Sequence, residues 1–383
     1  MAPSPTPVEL ISAEPFFWRE NQQFELIVDG DNYFPAMLKS IDNAKSHILM
    51  EMYLVQSGVV TSNFVDAFVR AQNRGCIVCL LLDGFGSRKL VAQDRKRLVD
   101  AGIHLAIFNP FQFQIFSKAF RNNLMRTHRK ILVVDGKVAF VGGTGLSDSF
   151  VGVNAWRDCM LKIGGETVSD WQNLFSLNFR RWSEHIHIPD AQPATFRHGR
   201  RGRVVYTSGG THLPLKGILL NRIQHSQNRI WFASAYFIPS RKIRRALRRA
   251  ASRGIDVRLL LPGPITDHPA VRQASRRYYS RLLRHGVRIF EYQTRFLHTK
   301  MVIVDDWYTI GSSNMDRWNF RWNLEANQEV DDLQLNTATK DMLVADFNQS
   351  EELHYLLWLQ RSRLQRFKEW LWGNIDRWLS RRH

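Results

Sequence analysis

Two short segments of the chain carry residues that could do nucleophilic and acid–base chemistry. The first reads His128-Arg129-Lys130-Ile131-Leu132-Val133-Val134-Asp135 and is followed by Gly142-Gly143-Thr144-Gly145. The second reads His298-Thr299-Lys300-Met301-Val302-Ile303-Val304-Asp305 and is followed by Gly311-Ser312-Ser313-Asn314. Residues two apart on a strand share a face, so each segment presents an imidazole beside a fixed positive charge. An imidazole can attack phosphorus or carry a proton, and an ammonium beside it stabilises charge building on a phosphoryl group. One such segment is a weak motif, since an ordinary solvent-facing His–Lys pair would explain it. Two at equivalent places in a repeat are strong, and two such faces can enclose one phosphate. Asp135 and Asp305 complete the motifs but fall on the other strand parity, so they read as structural groups that bind backbone or turn. A Lys beside each His would repel a metal cation, and no Cys or carboxylate cluster completes a ligand set, so neither metal nor cofactor is expected.

The elements that must position these residues also come in pairs. The apolar run Ile48-Leu49-Met50-Glu51-Met52-Tyr53-Leu54 precedes a helical stretch ending Arg74-Gly75 and a strand from Ile77 to Leu82. Arg229 to Phe237 precedes a helical stretch ending Arg253-Gly254 and a strand from Ile255 to Leu261. A further pair, Ala101-Gly102-Ile103 and His285-Gly286-Val287, opens one more strand in each half, and each Gly suits the left-handed position after a helix. Helices alternating with apolar strands predict an α/β fold: two pseudo-symmetric halves with largely parallel central sheets, plus a C-terminal amphipathic helical tail. The boundaries expected are a disordered leader at 1–8, a first half at 9–190, a linker at 191–202, a second half at 203–345 and a basic, Trp-rich tail at 346–383.

Composition narrows the partner. Lys and Arg outnumber Asp and Glu by 53 to 35, for a net charge of +18, which calls for an anionic surface. Nucleic acid and acidic membranes both qualify, but 12 Trp and 24 Phe favour lipid. Cys76, Cys79 and Cys159 cannot form a complete disulfide framework and read as core residues of a cytosolic chain. The leader lacks the basic and apolar regions of a signal peptide, and no apolar stretch is long enough to span a bilayer, so any membrane contact is expected to be peripheral.

With its duplicated H-x-K-x-x-x-x-D motifs and the Gly311-Ser312-Ser313-Asn314 segment, the sequence resembles the phospholipase D superfamily from about Glu9 to about Asp331. Within it the chain is most similar to short bacterial cardiolipin synthases without N-terminal transmembrane helices. That narrower likeness rests on Glu51-Met52-Tyr53, the Arg-Gly turns, Thr127 to Gly136, and Gly311 to Asp316 leading to Asn323-Leu324-Glu325-Ala326-Asn327. The resemblance implies a two-step transfer through a covalent phosphohistidine, with His128 as nucleophile and His298 as acid and base. Lys130 and Lys300 would stabilise the transition state, with Asn314 and Ser312 donating hydrogen bonds. It also implies Glu325 as the carboxylate that supports His298, with Asp158 as its first-half counterpart; an ordinary buried ion pair is the alternative for both. Two departures stand out. Gly145 sits where the family places Asn, so Thr144, Ser147 or a backbone N–H must replace that contact. The spacing from Asp305 to Gly311 is one residue shorter than from Asp135 to Gly142, which should tighten one turn.

Two further segments bear on substrate. Phe111 to Arg121 mixes aromatic and basic residues and could line a lipid entrance or form a core helix. The tail places Leu364, Phe367, Leu371, Ile375 and Trp378 at helical spacing beside Trp370, Trp372 and several cations, which suits either an interfacial helix or one docked on the body. The function expected is a cardiolipin synthase: a phosphatidyltransferase joining anionic phospholipids such as two phosphatidylglycerols with release of glycerol. A phospholipase D-type phosphodiesterase or nuclease is the alternative. The expected partners are an anionic phospholipid and the cytoplasmic side of the cell membrane, contacted peripherally, ahead of nucleic acid.

Overall fold

Alternation along the apolar runs sets the layers. In His47–Met52 and Lys130–Val134, Ile48, Met50, Leu132 and Val134 face one side, and Leu49, Ile131 and Val133 the other. Lys300–Val304 is divided the same way, with Met301 and Ile303 opposite Val302 and Val304, so these strands are buried on both faces. A computed structural model describes residues 16–110, 125–183, 186–197, 199–208, 214–316 and 323–381. The leader 1–8 and the stretch from Phe111 to Arg121 lie outside these residues, as do the side chains of Ile375 and Trp378.

The two halves share one 15-stranded sheet. From the seam outward the first half runs Arg19–Val28, Cys159–Gly164, Val138–Gly142, Lys130–Val134, His47–Met52, Ile77–Asp83 and His104–Phe108. The second repeats that order as Arg200–Tyr206, Ala326–Asp331, Trp307–Gly311, Lys300–Val304, Arg229–Ser234, Asp256–Pro262 and Arg288–Tyr292, with Ser350–Leu353 added at the edge. Arg19–Val28 and Arg200–Tyr206 join the halves antiparallel. One face of the sheet carries an apolar cluster continuous across both halves, covered by Thr167–Phe179 and Leu333–Asn348. On the other face each half has its own cluster beneath its own helices.

The α/β class and the paired halves are as the sequence indicated, but the expectation of largely parallel central sheets is corrected to one mixed sheet. Within this sheet parallel pairing is confined to the outer strands joined by helical crossovers, around Ile77–Asp83 and Asp256–Pro262. Each histidine strand turns directly into the next, Lys130–Val134 into Val138–Gly142 and Lys300–Val304 into Trp307–Gly311, which makes that pairing antiparallel, and the following strand returns antiparallel as well. Residues 200–202, read as linker, lie in the seam strand, and Ser350–Leu353, read as tail, pairs with Arg288–Tyr292.

Asp135 and Asp305 make the turns. Both adopt positive φ, at 54° and 53°. The Asp135 carboxylate accepts from the backbone N–H of Lys45, Ser46 and His47, and that of Asp305 from Gln227, Asn228 and Arg229. They pin the start of the neighbouring strand at the far end from the histidines, so their role is structural. Val134 pairs with Val138 but Val304 with Trp307, which is the tighter second turn expected.

Gly75 and Gly254 follow their helices at φ 87° and 88° with open space around the missing side chain, so conformation alone selects glycine. Gly254→Ala should therefore lower stability by about 1 kcal/mol, the usual penalty for a side chain in the left-handed region, when measured by denaturant unfolding. An unchanged midpoint would show that the turn relaxes out of this conformation.

Candidate active site

Each histidine is held by the opposite half. The strand pair formed by Arg126–Thr127 and Asn323–Leu324 brings His128 beside the second half's carboxylate, and the His128 N–H donates to the Leu324 carbonyl at 2.9 Å. The His128 Nδ1 lies 3.0 Å from Glu325 Oε1 and 3.2 Å from Oε2, and 3.1 Å from the Ser312 carbonyl. In the mirror arrangement Arg157 bridges Leu297, the His298 N–H donates to the Arg157 carbonyl at 2.8 Å, and His298 Nδ1 lies 2.7 Å from Asp158 Oδ2. The family-based pairing of Glu325 with His298 and of Asp158 with His128 is thereby corrected. Asp158 and Glu325 directly precede equivalent strands, and the residue before each accepts the backbone N–H of the other half's histidine. With Nδ1 of each ring donating to a carboxylate, Nε2 is left to carry the chemistry.

The lysines fold back over their own motifs. Lys130 Nζ donates to the His128 carbonyl at 2.5 Å, and Lys300 Nζ to that of His298 at 2.6 Å. Lys300 Nζ also lies 3.1 Å and 3.2 Å from the two ring nitrogens of His298. All four side chains are buried. Burial, more than any single charge, lowers the pKa of His128 below its ordinary value, with Lys130 and Lys300 adding to it against the pull of Glu325. His298 falls to about 3, through burial and then Lys300, opposed by Asp158. Burial likewise lowers both lysines. It pushes the Asp158 carboxyl up, but the bond from His298 and the nearby charges outweigh it, so that carboxylate stays ionised. Both imidazoles are therefore neutral in the resting protein.

The surroundings differ between halves. Phe150, Trp156 and Phe296 stand around the His298 ring at centroid distances of 5.5, 5.2 and 5.7 Å, whereas His128 meets the Tyr53 ring at 5.0 Å. Glu51, from the family-like Glu51-Met52-Tyr53 run, accepts from Thr127 Oγ1 and Asn178 Nδ2, while Asp83 Oδ2 accepts from the Thr127 N–H. These supports fix the residue before His128 and were not legible as site residues.

The glycine-rich segments differ as well. Ser312 Oγ donates to Glu325 and accepts from the Ala326 N–H, so Ser312 positions the carboxylate rather than donating to phosphate, as had been expected. Asn314 is fully buried, and among the described residues neither its Oδ1 nor its Nδ2 has a partner. An amide left so is poised for a ligand oxygen. In the first half the replacements suggested for the missing Asn are engaged elsewhere: Thr144 Oγ1 with Tyr33 OH at 2.9 Å, and Ser147 Oγ with Gln56 and Ser149. A Cβ on Gly145 would lie 2.6 Å from Leu54 Cβ, and one on Gly143 2.6 Å from the Asp158 carboxylate. Close packing thus excludes the Asn at 145 and leaves room for Asp158 at 143. Among the described residues no cluster of three His, Cys, Asp or Glu side chains offers a metal site. All three cysteines are free and buried.

The lowered pKa makes a prediction. An unfolded His298 titrates near 6.5 but the folded one only near 3, so on acidification the unfolded chain takes up the proton first. Stability should fall as pH drops below about 6.5 and continue to fall towards about 3. His298→Asn retains an N–H for Asp158 and cannot titrate. In urea unfolding between about pH 7 and about pH 4.5 its slope should be shallower than that of the wild type; equal slopes would mean that the folded ring charges freely.

The chain is similar over most of its length to known proteins. Residues 37–176 and 219–347 match the family model described as "Cardiolipin synthase, PLD-like domain". The chain is 31% identical over 363 residues to Minor cardiolipin synthase ClsB of Bacillus subtilis, covering 94% of this chain and 89% of that relative. It is 36% identical over 342 residues to Cardiolipin synthase 2 of Bacillus cereus, covering 86% of this chain and 65% of that relative's length. The fold is similar to that of phosphatidylserine synthase from Haemophilus influenzae Rd KW20, with a TM-score of 0.67 at 13% identity, covering 98% and 96% of the two chains. One His-x-Lys segment lies in each matched range, and the likeness runs along most of the chain: it belongs to the phospholipase D-like cardiolipin synthase family.

Proposed function

We propose that the chain is a phosphatidyltransferase that condenses two anionic phospholipids, such as two phosphatidylglycerols, into cardiolipin with release of glycerol. The observation that carries this reading is the pair of neutral imidazoles, each with a carboxylate on Nδ1 and an ammonium alongside. Nε2 of His128 attacks the phosphorus of one phosphatidylglycerol, a P–N bond forms, and the P–O bond to glycerol breaks. With substrate bound, His298 takes up a second proton on Nε2 from solvent and gives it to the departing glycerol oxygen. His298 then takes the proton from a headgroup hydroxyl of the second phosphatidylglycerol, whose oxygen displaces His128 from phosphorus. Lys130 and Lys300 offset the charge of the pentacoordinate transition state, and the Asn314 amide donates to a phosphoryl oxygen. Glu325 and Asp158 hold the rings in the tautomer that leaves Nε2 free. The reaction places the protein on a membrane surface, and we assign it to the cytoplasmic side as a peripheral protein. Among the described residues no helix is long and apolar enough to cross a membrane.

His128→Ala should abolish transfer and the acid-labile phosphoryl-enzyme, and His298→Ala should reduce turnover roughly 10²- to 10⁴-fold, the range for a lost general acid. The exchanged pairing adds a sharper expectation. Asp158→Asn should impair the proton-transfer step like His298→Ala, although Asp158 belongs to the first half, while Glu325→Gln should impair phosphoryl-enzyme formation. Trapping with labelled phosphatidylglycerol reads both. A label mapped to His298 would reverse the roles, and labelled phosphatidic acid as sole product would favour a hydrolase.

Activity should also survive excess chelator, since each imidazole is flanked by an ammonium rather than by a ligand set. Loss of activity that a divalent cation restores would overturn the mechanism.

A further inference from the structure

One helical layer of the second half presents two surfaces that the chemistry does not use. In Arg241–Ser252, Ile243, Ala246, Leu247 and Ala250 are buried in the second-half core, while Arg245 and Arg249 on the other side are exposed. The helix contains no acidic residue. Tyr279–Leu283 packs beside it and adds Arg281, and the partly buried Arg248 is held below its usual pKa by desolvation and then by Arg281, Arg245 and Arg249. Nearby Arg272 and Arg276 pair with Glu291, but among the described residues Arg245, Arg249 and Arg281 have no carboxylate at ion-pair distance.

The adjoining helix, Arg363–Arg381, lies along Pro269–Arg276 in an unusual sense. Few of its described side chains meet the body: Glu369 is buried against Arg361 at 2.6 Å and Arg276 at 3.4 Å, and Arg277 Nη1 donates to Asn374 Oδ1 at 3.1 Å, while Arg363, Gln365, Arg366 and Lys368 stay exposed. Its apolar side faces out, with Leu364 63% exposed, Phe367 and Trp370 each 55% exposed, and the last two rings stacked 5.9 Å apart. A helix docked only for its own stability would turn these residues inward.

We propose that the basic surface of Arg241–Ser252 and Tyr279–Leu283 and the outward apolar side of Arg363–Arg381 together form the face that docks on an anionic lipid bilayer. The cations draw in anionic headgroups, and Trp370, Phe367 and Leu364 enter the headgroup–acyl boundary. Nucleic acid would use the arginines but leave the apolar side in water. A second copy docked face to face would set arginine clusters against each other. The bilayer satisfies both surfaces, and this attachment deepens the proposed function while remaining separable from it.

Truncating the tail is a poor test, because Ser350–Leu353 is a sheet strand and Trp358 is buried in the core. Surface substitutions in the full chain test it instead: Arg245→Glu with Arg249→Glu, and Phe367→Ser with Trp370→Ser, each in a His128→Ala background that prevents turnover. Cosedimentation uses phosphatidylcholine vesicles with and without phosphatidylglycerol. The parent should bind the phosphatidylglycerol vesicles, and each double variant should bind at least ten-fold more weakly, since each cation lost near an anionic surface is worth roughly five-fold and the apolar area of two aromatic side chains buried at the headgroup boundary is worth at least as much. Melting temperature and, with His128 intact, hydrolysis of a soluble phosphodiester should be unchanged. Undiminished vesicle binding overturns the inference. So does a change confined to oligomeric state, which would make this a contact between copies, or one confined to oligonucleotide binding, which would make it a nucleic-acid face. If binding behaves as expected but no cardiolipin forms, the docking face stands and the proposed function fails.

Discussion

The exchange of carboxylates between halves is the constraint on which the rest of the structure depends. Each half supplies an imidazole with no acceptor of its own, and a carboxylate that serves only its counterpart. The backbone enforces the exchange, because each histidine N–H bonds to the residue that precedes the opposite carboxylate. The site therefore exists only when the halves are docked. The seam strands, the apolar cluster shared by both halves and the Trp171 Nε1 bond to Gln328 at 2.8 Å all hold that docking. Arg157 adds to it, since its carbonyl receives His298 while its guanidinium is clamped between Asp29 at 2.8 Å and Asp346 at 2.9 Å.

Duplication has not produced equal halves. At equivalent positions Ser312 steadies Glu325, whereas Gly143 merely leaves space for Asp158. Asn314 offers a buried amide, whereas Gly145 is packed against Leu54. Among the described residues the His298 ring stands among three aromatic rings and the His128 ring against one tyrosine. Two half-sites that began alike can in this way take separate roles in one reaction, one forming a bond to phosphorus and the other moving protons.

What was legible in the sequence was local. His128, Lys130, His298 and Lys300 follow from strand parity within a few residues, and Gly75 and Gly254 from helix-end geometry. The turn roles of Asp135 and Asp305 followed from parity too. The partners of the rings did not, because spacing within a half says nothing about how two halves dock; Glu325 and Asp158 were recognised, but each was given to the wrong histidine. The sheet was misjudged for a related reason. Alternating helices and strands describe the crossovers, while the direct turns from each histidine strand into the next, at 135–137 and 305–306, set the antiparallel direction. Amphipathicity identified the Arg363–Arg381 helix but not which side it turns to the body, where Glu369 and Gly373 are buried against Arg276 and Arg277.

The proton count of the site still has to fit the chemistry. The first step needs one neutral ring and one protonated ring, yet burial and the lysines keep both neutral before substrate arrives. A phosphodiester brings a negative charge that favours taking up a second proton from solvent. Lys300 is the strongest single charge acting against a proton on His298, and a phosphoryl oxygen bound to its ammonium offsets that field. The ring then lies between an incoming anion and the ionised Asp158 at 2.7 Å, a closer acceptor than Glu325 is for His128. The Glu325 carboxylate also shares its charge with the Ser312 hydroxyl, which weakens its hold on a second proton. In the proposed mechanism substrate binding charges His298 in preference to His128, so the acid forms only when there is a leaving group to protonate, and the nucleophile keeps its lone pair.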